Sequence, residues 1–425
     1  MVMIFRSVRK GLSKSNTGLL SGLDIGSSKV SCCITRPSHD GSLKVLGVGQ
    51  YASRGIRGGA IVDMQALEMA IRGAVHDAET AAGETIHEVF ISLSPNLISS
   101  SVVRVEANIA GHAVDETDVR KILAQAAQSA EKPGHEIIHS ISASYTIDTV
   151  QGIRDPRGMF GDALNCSVLV LSAPSGPLRN LYACIERCHL SLNGLVVSPY
   201  ASGLATLVED EIDLGATLID LGAGSTSIAI FYDGRLTHID HVPIGGAHVT
   251  SDLARGLSTP LAQAERIKTL YGSAMVSPSD SREMIAAPQI GEEATSRGTQ
   301  VTKAELTRII RPRIEETFEL IRERLRNVEA DKIAGKRLVL TGGASQLPGV
   351  RELASLILDK QGRIGRPLYL KSQNEQIKSP AFATCAGLLE FARSEHIMAT
   401  AHDQDSSGHL FNRFGKLGSW LRENV

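Results

Sequence analysis

The sequence predicts an α/β protein of two lobes, with a small α+β insert in lobe one and an amphipathic helix at the C-terminus. Three observations lead there. The chain has 425 residues, more than one ordinary core accommodates. An apolar strand ending in Asp-x-Gly, followed by small residues and a second apolar strand, occurs once in each half. Residues 95–175 break the element order of their surroundings.

Taken in order, residues 19–53 read as three strands, LLSGLDIG, KVSCCITR and LKVLGVGQYA, separated by Gly-Ser and Asp-Gly breaks. Residues 63–82 carry apolar positions at helical spacing and stop at Gly83. EVFISLS (88–94) is a strand, which completes a β-β-β-α-β opening. The insert follows, with strands around 101–109, a helix from Glu116 to Ala130, and strands around 136–150 and 164–172. A helix at about 176–189, the strand LNGLVVS and a helix near 200–210 come next. Residues 215–233 then repeat the opening strand–turn–strand, helices dominate 246–330 around a polar loop at 276–300, and 336–350 is a strand, a double-glycine turn and a helix start. The expected organisation is a basic N-terminal extension (1–18), a lobe-one core (19–88, 176–213 and 372–395), the insert (89–175), a lobe-two core (214–252 and 326–371), a helical subdomain of lobe two (253–325), a polar linker (396–409) and the terminal helix (410–425).

Apolar residues make up 42 % of the chain, enough for substantial cores. The formal net charge of -2 gives no global attraction to nucleic acid, so none is expected as a partner. Six cysteines in so long a chain suit a reducing compartment. Cys184, Cys188 and His189 lack a second ligand pair, so a metal there is not expected. At the N-terminus, MVMIF runs straight into Arg6, Arg9, Lys10 and Lys14, the reverse of a secretory signal. No apolar run reaches spanning length, and neither export nor a transmembrane segment is expected.

The repeated unit carries the chemistry. The first copy offers Asp24, Gly26, Ser27, Ser28 and Lys29 and the second Asp220, Gly222, Gly224, Ser225 and Thr226, and the aspartates lie 220 − 24 = 196 positions apart. That is too long for a solenoid period and fits two related lobes. Glycines permit close approach of a ligand to backbone N–H groups, which form an anion-binding concavity, and the hydroxyls and Lys29 add donors and charge. Two aspartates facing one gap suit magnesium, held through its waters beside phosphates. Neither the GxxxxGK[ST] nor the GxGxxG pattern is present, so the cradle is of another type. Supporting positions are Gly342 and Gly343, where a base can lie on backbone; Glu265 and Lys268, which share a helix face and can meet a ribose; and Gly245, ahead of a helix start that can face phosphate.

GLDIGSSKV (22–30), LIDLGAGSTSIAIF (218–231) and LVLTGGASQLPGV (338–350) resemble the two phosphate motifs and the adenosine motif of the actin superfamily. VVSPYASGLATL (196–207) and SPAFATCAGLL (379–389) resemble its two connecting helices. Within that superfamily the chain is most similar to the bacterial cell-division family FtsA, through GIRGGAIVD (55–63), GMFG (158–161), AERIK (264–268) and the tail. The resemblance implies an actin-like two-lobe ATPase fold with ATP and magnesium in the cleft, contacted by Asp24, Gly26, Ser27, Ser28, Lys29, Asp220, Gly222, Gly224, Thr226, Glu265, Lys268, Gly342 and Gly343. It implies tethering of the tubulin-like protein FtsZ to the inner membrane at the division site, self-association into filaments, and contact with other division proteins. The FtsZ C-terminal peptide is expected near Lys303, Arg308 and Arg311. No residue stands out to activate a water, so any ATP turnover is expected to be slow. The rival readings on the same fold are a pilus-assembly ATP-binding adaptor and a soluble sugar kinase.

The tail supports an anchor on its own terms. At about 100° per residue, Phe411, Phe414, Leu417, Trp420 and Leu421 fall within half the helical wheel. Lys416 and Arg422 lie outside that arc, and Arg413 sits within it near the Trp edge, where it can snorkel. The segment is too short to cross a bilayer, and a helix lying on anionic lipid is expected.

Overall fold

The computed structural model describes residues 18–38, 42–291, 298–372 and 374–405. Lobe one opens with β1 (Leu20–Ile25), β2 (Lys29–Pro37) and β3 (Leu43–Ala52), an antiparallel meander. A short hairpin of β4 (Ile56–Arg57) and β5 (Ala60–Ile61) leads into α1 (Met64–Ala82). Asp63 caps α1 by accepting from the Ala66 N–H, and Gly83 at φ 69° closes it. The helix lies directly on β3. A Cβ at Gly47 would stand 2.0 Å from the Ala78 carbonyl, and one at Gly49 2.0 Å from that of Ala74. β6 (Glu88–Leu93) then pairs parallel to β1.

The insert proper begins after β6, later than the expected residue 89, because β6 is a core strand of lobe one. It comprises β7 (Ser99–Asn108), α2 (Glu116–Ser129), β8 (His135–Ile147), β9 (Val150–Ile153) and β10 (Ala163–Pro174), with sheet order β7-β10-β8-β9. Its core is separate and includes Ile109, Ile122, Leu123, Leu164 and Val168.

The chain returns to lobe one through α3 (Ser175–Arg187) and β11 (Ser191–Val197), completing the sheet β11-β6-β1-β2-β3. The first connecting helix, α4 (Ser198–Thr206), and α5 (Glu209–Leu214) lead to lobe two. There β12 (Ala216–Leu221), β13 (Thr226–Tyr232) and β14 (Arg235–Val242) repeat the meander. α6 (Gly246–Gly256), α7 (Leu261–Tyr271), β15 (Met284–Ala287), β16 (Thr299–Thr302) and α8 (Lys303–Arg326) form the helical part. β15 and β16 pair antiparallel, β15 wholly and β16 in part within residues 276–300, the stretch expected to be loop. α9 (Glu329–Ile333), β17 (Arg337–Thr341), α10 (Val350–Leu358) and β18 (Gln361–Ile364) finish the sheet β14-β13-β12-β17-β18. β19 (Leu370–Lys371) crosses back to pair with β3, and α11 (Ala383–Asp405) ends the described chain. α11 runs on through the first ten residues of the expected linker. Among the described residues, no helix is long and apolar enough to cross a membrane.

The lobes meet at α4 and α11. Where they cross, a Cβ on Gly387 would lie 1.7 Å from the Ala201 carbonyl, so the two helix backbones touch. Beside the crossing, Phe90, His139, Tyr200, Phe231 and Phe391 pack edge-on or stacked, and so join both lobes and the insert in one cluster. The insert also reaches lobe two directly: Arg154 pairs with Asp233 at 2.7 Å, and Arg235 donates to the Arg154 carbonyl at 3.0 Å.

Replacing Gly387 by alanine has to push the two connecting helices apart. Chemical denaturation of Gly387→Ala should show a loss of about 1–3 kcal/mol, typical of an overpacked core. Unchanged stability would mean that the helices separate freely at this point.

Candidate functional site: a phosphate cleft between two matched hairpins

The β1–β2 and β12–β13 hairpins have the same register residue for residue. Asp24 faces Ser31 and Ile25 faces Val30; 196 positions on, Asp220 faces Ser227 and Leu221 faces Thr226. Each turn is closed the same way, by Gly26 N–H on the Lys29 carbonyl at 3.0 Å and by Gly222 N–H on the Ser225 carbonyl at 3.1 Å. The two turns abut across the cleft, since a Cβ on Gly224 would come within 2.7 Å of Ser27 Oγ. Between them opens a cleft of about 660 Å³, large enough for a nucleotide.

Of the expected nucleotide contacts, Asp24, Gly26, Ser27, Ser28, Lys29, Asp220, Gly222, Gly224, Glu265, Lys268, Gly342 and Gly343 all line this cleft. Two do not. Thr226 is fully buried and its hydroxyl donates to the Ile244 carbonyl at 2.8 Å. Gly245 caps α6, but its amide donates to His248 Nδ1 at 3.1 Å. The next two amides, of Gly246 and Ala247, are bound at 2.9 Å to the carbonyls of Gly222 and Ala223. This helix start is therefore joined to the second hairpin instead of being open to phosphate.

The aspartates sit at the cleft floor. Asp24 Oδ1 accepts from Ser92 Oγ at 2.7 Å, and that hydroxyl oxygen accepts from the Ile25 N–H at 3.0 Å. Burial raises the pKa of Asp24, against the pull of Ser92 and of the Lys29 charge. Asp220 Oδ2 accepts from Thr384 Oγ1 at 3.3 Å. Burial, with Ser202 and Thr384 opposing and the Asp24 charge adding, pushes Asp220 up to about 6. Lys29 lies 4.2 Å over the Phe382 ring, and burial lowers its pKa. Two mutually repelling carboxylates, Asp220 buried and Asp24 half-buried, form an oxygen donor set that a hard divalent cation would neutralise. The chemistry of this donor set fits magnesium, which Asp24 and Asp220 would hold.

On the far side, Gly342 turns at φ 84°, and a Cβ there would lie 2.3 Å from Asp220 Oδ1. Ser379 donates to Gln346 Oε1 at 3.1 Å and fixes that side chain at the rim. Lys268 Nζ binds Glu265 at 2.7 Å, Thr250 Oγ1 at 2.8 Å and the Gly246 carbonyl at 3.0 Å, so the pair also ties α7 to α6. Ser92, Ser202, Thr384 and Gln346 escaped the sequence reading, because a lone hydroxyl or amide gives no local signal of what it faces.

Lys303 and Arg311 lie on α8 as expected, but both are paired within the chain. Lys303 contacts Glu283 at 3.3 Å and Arg311 contacts Glu315 at 2.7 Å, while Arg308 is exposed. Phe411, Phe414, Leu417, Trp420, Leu421, Arg413, Lys416 and Arg422 lie outside the described residues.

Two lobes with equivalent hairpins around one cleft define an actin-like fold. Solved structures agree: the chain matches the PilM–PilN type IV pilus biogenesis complex (TM-score 0.63, 18 % identity, 87 % of this chain and 97 % of that one). It also matches MreB5 of Spiroplasma citri bound to ADP (TM-score 0.52, 13 % identity, 92 % and 99 %). These likenesses fix the fold alone. The sequence goes further. Residues 217–387 match the family model "Cell division protein FtsA", and residues 96–172 match "SHS2 domain inserted in FTSA". The chain is 41 % identical to the FtsA of Agrobacterium fabrum and 42 % identical to that of Rhizobium meliloti, each over 98 % of this chain and 97 % of the relative. It is 30 % identical to that of Escherichia coli, over 95 % and 98 %. The chain belongs to the FtsA family of cell-division proteins.

A carboxyl whose pKa rises on folding weakens the fold as pH climbs from its unfolded to its folded value, and the loss is complete above the latter. For Asp220 that window runs from 3.8 to about 6. The full effect is about 3 kcal/mol. Asp220→Asn should therefore stabilise the nucleotide-free protein in urea at pH 8, by up to that amount, and change little at pH 4. Equal effects at both pH values would contradict the assignment.

Proposed function

We propose that this chain binds MgATP in the cleft and acts as an adaptor that tethers FtsZ filaments to the inner membrane at the division site. The carrying observation is the pair of register-matched hairpins, each with an aspartate near the end of its first strand, in a chain of the FtsA family. Asp24 and Asp220 hold the ion through its waters, the turns at Gly26 and Gly222 cradle phosphate, Glu265 and Lys268 meet the ribose, and Gly342-Gly343 supports the base. Magnesium when bound neutralises phosphate charge. This chain's groups bind and orient, and none of the ionisable side chains lining the cleft is an evident base for hydrolysis. The FtsZ C-terminal peptide is assigned to α8 with Arg308 as its exposed cation, and Lys303 and Arg311 would exchange their present partners for it. Other division proteins are further partners.

A single amphipathic tail binds lipid only marginally, comparable to one acyl chain at about 10⁴ M⁻¹. Retention therefore needs several tails on one assembly. ATP closes the lobes, favours filaments and multiplies the anchors.

Calorimetry of the full chain with ATP and magnesium should give saturable binding. A folded sample that takes up no adenine nucleotide would overturn the reading. Sedimentation with anionic vesicles and FtsZ polymers should be ATP-dependent and should be lost when residues 408–425 are deleted. Full vesicle binding without them would refute the anchor.

A further inference from the structure

The two aspartates at the cleft floor are held in different ways. Asp24 is held from within lobe one, by Ser92 of the neighbouring strand β6 at 2.7 Å. Asp220 belongs to lobe two, yet its Oδ2 accepts from Thr384, the second residue of α11, at 3.3 Å. α11 is fastened to lobe one at the following residues. Cys385 Sγ lies 3.6 Å from the Gly22 carbonyl of β1, and a Cβ on Gly22 would come within 3.1 Å of Leu388 Cβ. Leu388, Leu389 and Phe391 are buried in the lobe-one core. The Thr384–Asp220 hydrogen bond therefore crosses from one lobe to the other.

The remaining surroundings of Asp220 leave it little freedom. Oδ1 fills the space vacated by the missing side chain of Gly342. Ser202 of α4, fully buried, also stands against this carboxylate, and its hydroxyl donates to the Ser198 carbonyl at 3.0 Å. A hydroxyl has one proton, so Ser202 serves one acceptor at a time, while Thr384 has no other acceptor among the described residues. Hydrogen bonds of this kind, one step behind a metal-facing group, set its orientation and so the affinity for the ion.

Building on the MgATP reading above, we propose that Thr384 is a positioning residue for magnesium. Its hydroxyl holds the lobe-two aspartate from a lobe-one helix, so that retention of the ion depends on the angle between the lobes. Opening the cleft lengthens this bond and releases the carboxylate to turn. Closing it restores the plane in which Asp220 faces Asp24 across the gap.

The test compares wild type with Thr384→Val, which removes the hydroxyl at nearly constant shape, and Thr384→Ser, which keeps it. Uptake of a fluorescent ATP analogue is followed as magnesium is titrated, and separately in EDTA. In Thr384→Val the magnesium midpoint should rise about tenfold, the low end for outer groups that orient a metal site. Its metal-free nucleotide affinity should stay near wild type, and Thr384→Ser should restore the midpoint. An unchanged midpoint in Thr384→Val, or parallel losses with and without magnesium that serine does not restore, overturns the positioning role. Should Thr384→Val fail to fold, Thr384→Ser decides against Thr384→Ala on the same titration. Absence of nucleotide uptake by wild type would instead overturn the MgATP reading itself.

Discussion

Two carboxylates of like charge, Asp220 buried and Asp24 half-buried near the ends of equivalent strands and lining one cleft, are the constraint around which this molecule is arranged. Burial favours the protonated form of each, and at Asp220 the charge of Asp24 adds to it. The surroundings hold them in place all the same. Ser92 and Thr384 donate to them, Gly342 gives up its side chain to make room for Asp220, and Gly224 gives up its own so that the second turn can approach Ser27. A protein keeps such strain where it serves a ligand, and the stability lost in the empty state is the counterpart of affinity in the filled one.

Much of this was legible in the sequence, for a local reason. A hairpin with Asp at the strand end and Gly two residues on is specified by its own residues, so its two occurrences could be aligned without knowing the fold. The structure keeps the 196-residue offset through every pair of the two ladders. Helix α1 was equally plain, since Asp63 and Gly83 mark its ends. What local chemistry could not supply was whether a donor is already engaged. Thr226 and Gly245 carry suitable groups, but the Ile244 carbonyl and His248 take them. Thr384 sat inside a recognised motif with no sign that its hydroxyl meets an aspartate 164 positions away.

Other departures follow from weak patterns. β15 and β16 are four residues each, MIAA and TQVT, too short for alternation to stand out against a polar neighbourhood. Polarity suggested a linker from residue 396, yet HIMATAHDQD contains neither Gly nor Pro, and such a stretch continues a helix already begun. The basic face of α8 is a different case. The family resemblance pointed to three cations there, whereas Glu283 and Glu315 pair with two of them.

The continuity of α11 decides which part of the molecule a C-terminal anchor would hold. Over Ala383–Ala392 the helix is packed into lobe one, with Cys385 against β1 and Phe391 in the aromatic cluster. From there it continues unbroken to Asp405, about 20 Å further at the helical rise. The backbone therefore leaves lobe one in a direction set by lobe one. An anchor beyond Asp405 would hold that lobe at the surface, and closing on a ligand would move lobe two. Lobe two carries α8 and the helical subdomain, so the surface assigned to a partner peptide is the one that swings. The insert bridges this motion, because it springs from lobe one yet pairs with Asp233 of lobe two through Arg154. A change of lobe angle must therefore either break that pair or carry the insert along. The same angle that Thr384 reads at the cleft floor is thus also expressed on the outer surface of the molecule.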